Sequence, residues 1–203
     1  ETGLGGRLDA TNVIPEKLCS IITPISHDHE EYLGKTIFKI TKEKLGIVKK
    51  SKFILISKQK TEVRNIIKKS LSKNNNVYYF GKDYKINMFD DKKYCFQFKN
   101  SQKIVSKPKL NGFHQVENST VALAFAEIMM QLNLKLSYKK INKAIKNTTW
   151  PGRIEILNFN NKKIILDGSH NIDGAEKLND FLKLKKIKPD VLFGMLNNKK
   201  IDI

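Results

Sequence analysis

Short apolar runs alternate with helical patterns along most of this chain, and this alternation limits the possible folds more than any other feature. The runs CSIIT and FILIS are typical of buried strands, and a helical stretch from about Glu30 to Val48 separates them. The next segment, TEVRNIIKKSLS, predicts an amphipathic helix. Strands and helices in this order predict βαβ units and a parallel sheet.

The middle of the chain departs from this alternation. Between Tyr78 and Val105, the segments YKINMF and YCFQFK alternate apolar and polar residues, which predicts a small antiparallel side sheet. The segment NSTVALAFAEIMMQL is apolar nearly all round and predicts a buried helix that Asn118 or Ser119 caps. A second helix is predicted near residues 137–146.

Proline and glycine interrupt the helical pattern in TTWPGR, and we predict a domain boundary there. The predicted domains are residues 1–150 and 151–203. In the second, RIEIL, KIILD, the helix GAEKLNDFLKLKK and DVLFG predict another βαβ unit, with a hairpin turn at residues 160–163. KIILD is predicted to be a buried strand that ends at Asp167. Both ends of the chain lack neighbouring elements, so we expect it to belong to a longer protein.

The charge of the chain leaves two interpretations open. The net charge is +18, from 38 basic and 20 acidic residues, but 35 of the basic residues are lysines. They form either a solvated face or a groove for nucleic acid. Two cysteines without CxxC spacing give no disulfide framework and favour the cytoplasm. No run of 18 apolar residues indicates a membrane span.

The four histidines and two of the three arginines fall in short polar clusters at predicted strand ends and helix starts. In a chain that uses lysine almost everywhere, an arginine suggests that a planar, bidentate group is needed, as at a phosphate. Ligands of α/β folds bind at the carboxyl ends of strands, so these clusters predict a site. They are His27 and His29 in SHDHEEYLG, His114 in GFHQVEN, His170 in DGSHN, Arg7 in GLGGR and Arg153 in WPGR.

Seven motifs in order resemble those of the folylpolyglutamate synthase and dihydrofolate synthase family of Mur-ligase-like enzymes. They are ETGLGGRLDATN, SHDHEEYLG, EKLGIVK, GFHQVENSTVA, WPGRIE, LDGSHNIDGA and FGML, and they span nearly the whole chain. The resemblance implies an α/β fold: a Mur-ligase-like ATPase domain, incomplete at its N-terminus, followed by the start of a smaller Rossmann-like α/β domain. The family's phosphate-binding loop is expected upstream, so we expect the 203-residue chain alone to show no glutamate-dependent ATP hydrolysis.

The resemblance also implies the reaction. ATP phosphorylates a carboxylate of dihydropteroate or of a folate's terminal glutamate, and the amine of free L-glutamate then attacks the acyl phosphate. Phosphorylation supplies the leaving group that a carboxylate lacks, and Mg²⁺ offsets the charge of the two anions brought together. The implied partners are these small molecules, with no nucleic acid and no membrane, and the implied enzyme is a monomer.

Three residues match metal-site positions of the family. Glu1 and His29 match magnesium ligands, and Lys44 matches a catalytic lysine that is carbamylated to a carboxylate able to hold a second metal ion. For Glu1 a frayed terminus is the alternative. Asp28 has two open roles: it orients the imidazole of His29, or it stabilises the start of a helix.

Four residues match nucleotide contacts of the family. Asn118 matches a nucleotide-contacting position, with a helix N-cap as the alternative. Arg153 and His170 match catalytic groups that face the ATP phosphates, and Asp167 matches the acceptor for the ribose hydroxyls. For the turn after Asp167, Asx capping is the alternative.

Two other functions stay open from sequence. A peptidoglycan-precursor ligase of the Mur type shares the ATP site, although WPGR and DGSHN fit it less well. A basic nucleic-acid-binding module belongs to a different class and has only the lysine content in its favour, without an RRM, KH or zinc pattern.

Overall fold

The computed structural model describes residues 1–73 and 76–194. By contacts, the chain divides into two compact units. The first comprises Glu1–Val105 and Thr120–Leu136, and the second comprises Ser106–Ser119 and Ser137–Ile203. The boundary predicted between residues 150 and 151 stays a prediction.

A three-stranded parallel sheet forms the centre of the first unit. Its strands are β1 (Lys17–Ile22), β2 (Ser51–Ile56) and β3 (Val77–Tyr79), in the order β1-β2-β3. Cys19 lies opposite Phe53, and Ile54 lies opposite Val77. The parallel sheet predicted from the alternating pattern is therefore confirmed.

The helix predicted from about Glu30 to Val48 is broken in the structure. The observed helices are α1 (Glu30–Leu33) and α2 (Ile37–Leu45), and a 3₁₀ turn follows at Gly46–Val48. Gly34, at φ +96°, ends α1, and the Thr36 hydroxyl accepts the Lys39 N–H to cap α2. A glycine with positive φ commonly ends one helix, and a new N-cap residue begins the next. The helix α3 (Thr61–Ser70) follows β2 as predicted.

One side of the parallel sheet and these helices enclose the core of the first unit. Ile40 of α2, Ile54 and Ile56 of the sheet and Ile67 of α3 are all essentially inaccessible to water. Each such side chain stabilises the fold by about 1.5–3 kcal/mol relative to an exposed one. The β-branched apolar residues of the two predicted strands therefore decide how α2 and α3 pack.

The predicted side sheet is present in the first unit. Its strands are β4 (Tyr84–Met88), β5 (Lys93–Phe98) and β6 (Ser101–Ser106), and β4 pairs with β5 antiparallel. The sheet begins later than predicted, because Tyr78 belongs to β3 of the parallel sheet. The buried Tyr84 hydroxyl donates to the Ile56 carbonyl at 2.8 Å, which ties the side sheet to β2.

The long buried helix is α4 (Phe113–Gln131), and it begins earlier than predicted. Asn118 and Ser119 lie inside it, so the prediction that they cap it is wrong. The Ser119 hydroxyl donates to the Gln115 carbonyl, an i−4 bond that a serine within a helix makes. Leu123, Ala124 and Ile128 are fully buried, as the apolar pattern predicted.

The second unit contains α5 (Tyr138–Asn147), the hairpin of β7 (Glu155–Phe159) and β8 (Lys162–Leu166), and α6 (Ile172–Lys185). The hairpin was predicted, but the burial of its second strand was wrong, because Ile164 is 38% and Leu166 44% exposed. A strand paired on one side in a two-stranded sheet has few neighbours to cover it.

The βαβ unit predicted for the end of the chain is not completed in the described residues. Residues 191–194 of DVLFG form no strand, and the rest of the predicted terminal segment lies outside the described residues. No helix within residues 1–73 and 76–194 is long and apolar enough to cross a membrane.

Candidate functional site

An open cavity of about 650 Å³ lies along β1 in the first unit. Its walls include the glycine-rich N-terminal segment, the whole of β1 and the loop before α1. The three residues that were predicted to bind metal ions all line it: Glu1, His29 and Lys44.

Asp9 folds the glycine-rich segment at the edge of this cavity. Its carboxylate accepts the Gly3 N–H at 2.8 Å and the Leu4 N–H at 3.2 Å, and it caps the 3₁₀ helix Ala10–Val13 through the Thr11 N–H. These bonds, above all the one from the Thr11 hydroxyl, lower the pKa of Asp9 to about 2. Sequence reasoning missed Asp9, although Asp-x-Thr before a short helix is a recognisable capping signal.

The GGR end of the same segment lies against α2. A Cβ on Gly6 would come within 2.7 Å of the Lys44 carbonyl oxygen, so only glycine fits there. The Arg7 N–H donates to the Glu43 carbonyl, and the Arg7 Nε donates to the Glu43 carboxylate at 3.0 Å. Arg7 is therefore paired with a carboxylate, and the described contacts do not support the predicted anion there.

His29 is the N-cap residue of α1 and has a left-handed backbone, at φ +52°. Its N–H donates to Asp28 Oδ1 at 2.9 Å, while its Nε2 lies 3.9 Å from the same oxygen. Both contacts are to His29 itself, and α1 has no side-chain cap hydrogen bond, so the two roles open for Asp28 stay open. The imidazole of His29 is exposed at the cavity.

The donor set at this cavity fits a magnesium ion only in part. Within residues 1–73 and 76–194, no three His, Cys, Asp or Glu side chains are close enough together to hold a metal ion. Magnesium commonly keeps several waters and binds one or two protein ligands together with substrate phosphates. Glu1 and His29 could therefore supply two ligands beside a bound nucleotide, and a carbamylated Lys44 would add a third oxygen donor.

The turn after β8 in the second unit is organised by Asp167. Its Oδ2 accepts the Ile154 N–H at 2.8 Å, and its Oδ1 accepts the Ser169 N–H at 3.0 Å and the Ser169 hydroxyl. The bond from Ser169 is an Asx turn, the alternative that the sequence left open. The Gly168 N–H also donates to the Gly152 carbonyl at 2.8 Å, so the DGS turn is bound to the PGR loop.

Arg153 and His170 lie on the two sides of this junction, and both are exposed. A Cβ on Gly168 would lie 4.0 Å from Arg153 Nη1, so the guanidinium extends over the turn. The His170 Nδ1 is 3.1 Å from the Gly168 carbonyl. Two groups suited to anions thus flank one short turn.

His114 and Asn118 belong to the first two turns of α4. Burial lowers the pKa of His114, and the nearby charge of Asp167 opposes that shift. Asn118 is exposed, and its Nδ2 donates to Gln115 Oε1 at 3.1 Å. The four predicted nucleotide contacts, Asn118, Arg153, Asp167 and His170, all fall in the second unit, and the predicted metal ligands fall in the first. Their ligand roles stay predictions.

Residues 8–126 match the sequence profile of the Mur ligase middle domain. This chain belongs to the Mur ligase middle-domain family. The match covers more than half of the chain, and the mixed α/β fold agrees with it. The resemblance inferred from the seven motifs is therefore confirmed at the level of the superfamily.

Comparison with individual proteins shows which kinds of enzyme within this superfamily the chain resembles. The dihydrofolate synthase/folylpolyglutamate synthase of Bacillus subtilis is 32% identical over 98% of this chain and 48% of its own length. A Mycobacterium tuberculosis folylpolyglutamate synthase solved with ADP and AMPPCP is 28% identical to this chain, with a TM-score of 0.72. The match covers 90% of this chain and 42% of that one. A folylpolyglutamate synthase complex with AMPPCP and folate is 25% identical to this chain, with a TM-score of 0.82. The match covers 93% of this chain and 47% of that one.

These relatives confirm the predicted similarity to folylpolyglutamate and dihydrofolate synthases. The chain spans about half the length of the relatives that it matches. Both described units lie within the matched part, since the comparisons cover nine-tenths or more of the chain.

Proposed function

We propose that the whole protein is an ATP-dependent ligase that joins L-glutamate to dihydropteroate, to the terminal glutamate of folates, or to both. The observation that supports this most is the junction of the PGR loop with the DGS turn, where Arg153 and His170 flank a hydrogen-bonded turn. The same motifs occur in a chain whose fold matches synthases solved with ATP analogues.

In the proposed reaction, a carboxylate oxygen of the acceptor attacks the γ-phosphorus of ATP, and ADP leaves. The amine of L-glutamate then attacks the acyl carbon, inorganic phosphate leaves with the C–O bond electrons, and the amine loses a proton. The product is an amide. Because the first step joins two anions, groups that bind the phosphates account for much of the rate.

Arg153 is assigned to the phosphates in this proposal, since its fork can bind two oxygens at once. His170 lies beside it and also faces the phosphates. Asp167 is assigned to the ribose: it already accepts the Ile154 N–H, the Ser169 N–H and the Ser169 hydroxyl, so about one of the four acceptor positions of a carboxylate is left for a ribose hydroxyl. Asn118 is assigned to the nucleotide as well.

Glu1, His29 and carbamylated Lys44 are assigned to Mg²⁺ in this proposal. When bound, the ion supplies positive charge that offsets the repulsion between the acceptor carboxylate and the phosphates. The placement of all three residues on one cavity supports the assignment. The hydrogen bonds of Asp9 and the Arg7–Glu43 pair hold the segments that bear Glu1 and Lys44.

We also propose that the protein is a cytoplasmic monomer without nucleic-acid or membrane partners. Both cysteines are free thiols, and burial raises the pKa of Cys19 to about 11, so Cys19 is not poised for disulfide chemistry.

The test is a product assay on the whole protein. We expect ADP and phosphate to form only when ATP, L-glutamate and either dihydropteroate or a reduced folate are all present, with a product heavier by one glutamate. ATP turnover that requires a peptidoglycan-precursor nucleotide in place of the pterin would assign the chain to the Mur-type alternative and contradict the proposal.

A further inference from the structure

Ile154, next to Arg153, has a backbone conformation that its side chain disfavours. Its φ is +48°, in the left-handed region, and its side chain is only 1% exposed. For a β-branched residue this conformation is a true outlier that persists only when the surroundings hold it. The neighbours of Ile154 must therefore fix this conformation.

Hydrogen bonds fix the backbone on both sides of Ile154. Its N–H donates to Asp167 Oδ2 at 2.8 Å, and its carbonyl accepts Asn111 Nδ2 at 2.9 Å. Two residues earlier in the loop, the Gly152 N–H donates to Glu155 Oε2 and the Gly152 carbonyl accepts the Gly168 N–H. The bond from Asn111 joins residues 43 positions apart, so it comes from tertiary structure and not from the turn itself.

The segment before α4 is shaped to bring Asn111 to this place. Gly112 has φ +91°, and a Cβ there would come within 2.4 Å of the His114 ring and 3.2 Å of Ile154 Cδ1. The positive φ and the close His114 ring both favour glycine at this position, which lies against Ile154. The backbone of Gly112 thus lies against the Ile154 side chain, and the Asn111 amide reaches the Ile154 carbonyl.

We propose that Asn111 is a positioning residue for Arg153. By holding the Ile154 carbonyl, its amide keeps the left-handed backbone that directs the preceding guanidinium over the DGS turn. Without that bond, Ile154 relaxes toward the extended conformation that β-branched residues prefer, and the Arg153 backbone rotates with it. This inference depends on the proposed phosphate role of Arg153, because an arginine without a ligand needs no positioning.

The first test is steady-state kinetics of Asn111→Ala in the whole protein. We expect kcat to fall about tenfold while the KM for ATP changes less than about threefold, since the guanidinium remains but is misdirected in the transition state. In Asn111→Ala/Ile154→Gly, glycine adopts positive φ unaided. We expect this double variant to recover most of the lost kcat, although the cavity left at residue 154 lowers its melting temperature.

Asn142→Ala is the matched control. Asn142 also accepts a hydrogen bond within the second unit, from the Ser106 N–H at 2.6 Å, whereas the hydrogen bonds of Ile154 in the described part of the chain go to Asn111 and Asp167. Its loss is expected to lower the melting temperature and leave kcat within about twofold of wild type. If Asn142→Ala and Asn111→Ala lower kcat alike, Asn111 is merely structural and the inference is wrong.

A double-mutant cycle with Arg153→Ala separates the two proposals. If Asn111 acts through Arg153, Asn111→Ala has no further effect on kcat once Arg153 is alanine. Equal fold-losses in both backgrounds would overturn the positioning role and leave the phosphate role of Arg153 intact. Wild-type kinetics of Arg153→Ala itself would instead overturn the proposed function of this junction. The cycle decides the question even if Asn111→Ala/Ile154→Gly fails to fold.

Discussion

Asp167 shows how one residue can serve the fold and the proposed chemistry together. Both of its carboxylate oxygens accept backbone N–H groups, one from Ile154 and one from Ser169. With the Ser169 hydroxyl as a third donor, about one of the four acceptor positions of the carboxylate is left for a ligand, so the two roles are compatible for a single ribose hydroxyl. A consequence is that removing the carboxylate disturbs the loop that bears Arg153 as well as the ribose contact. Arg153 is therefore the cleaner residue to change.

Arg153→Lys keeps the charge and loses the planar fork. We expect kcat of the whole protein to fall roughly ten- to a thousandfold, because the fork can follow charge onto the transferred phosphoryl group and a lysine cannot. The measurement is steady-state ligation with varied ATP. Arg64→Lys, in α3 of the first unit, is the matched control and should retain wild-type kcat. Equal rates for Arg153→Lys and wild type would show that the fork has no role.

Lys44→Ala tests the proposed carbamate. We expect turnover of the whole protein to be nearly abolished and partly restored by short carboxylic acids, which can occupy the vacated position. Lys44→Arg should stay inactive, because a guanidinium cannot be carbamylated. Lys42→Ala, on an exposed position of the same helix, should behave as wild type. Normal kcat for Lys44→Ala contradicts the assignment.

His114 predicts a pH dependence of stability. Burial lowers its pKa from the ordinary 6.5, so the folded state binds fewer protons there than the unfolded state. Stability then falls as the pH drops below about 6.5, and above that value the contribution is constant. We expect the melting temperature of His114→Gln to fall less than that of wild type when the pH is lowered from about 7.5 to 5.5. An identical loss in both proteins would contradict this.

At the scale of elements, the first unit depends on how α3 and α2 cover one side of the parallel sheet. Two of the three strands, β1 and β2, come from the apolar runs, and the helices contribute Ile40, Val63 and Ile67 to the same cluster. Polar residues of α3 face water, which the amphipathic pattern predicted. The stability of this layer therefore depends on the buried stripe of each helix.

Ile67→Ala removes the centre of that stripe. Because Ile67 is completely buried, we expect the free energy of unfolding to drop by about 2–5 kcal/mol. Urea denaturation followed by far-UV circular dichroism measures this. Lys68→Ala, on the exposed side of the same helix, should change it by less than about 0.5 kcal/mol. A loss below 1 kcal/mol for Ile67→Ala would mean that α3 is not packed as described.

At the scale of the whole molecule, the charge of +18 is the most conspicuous property, and the proposed function gives it no direct use. Arg7 pairs with Glu43, and several lysines lie over aromatic rings, including Lys99 over Tyr78 at 5.0 Å. Basic side chains that contact groups of their own chain in this way do not require a polyanion as a partner. This local pairing favours the interpretation of the lysines as a solvated face.

We accordingly expect weak, salt-sensitive DNA binding. At about 150 mM salt the dissociation constant should be no tighter than about 10⁻⁶ M, the range of non-specific electrostatic binding. Fluorescence anisotropy with a labelled duplex measures it, and saturating ATP and folate should not change it. Tight binding at that salt concentration would support the nucleic-acid alternative instead.

The sequence alone determined the elements that depend on local pattern. The strands β1 and β2, the helix α3, the antiparallel side sheet and the β7–β8 hairpin follow from periodicity and turn residues, which act over a few positions. The motifs also identified the family, because their order is retained in the chain. The start of α4 was missed, since Asn118 resembles an N-cap whenever the preceding turn is not recognised as helical.

Tertiary structure decided what depends on distant contacts. No local pattern predicts a left-handed isoleucine at residue 154, because its conformation is held by Asn111 and Asp167 from elsewhere in the chain. The pairing of Arg7 with Glu43 likewise joins residues 36 positions apart. Sequence pattern reports the preferences of neighbouring residues, whereas the direction of a side chain in a site is set by whichever distant groups satisfy the backbone around it.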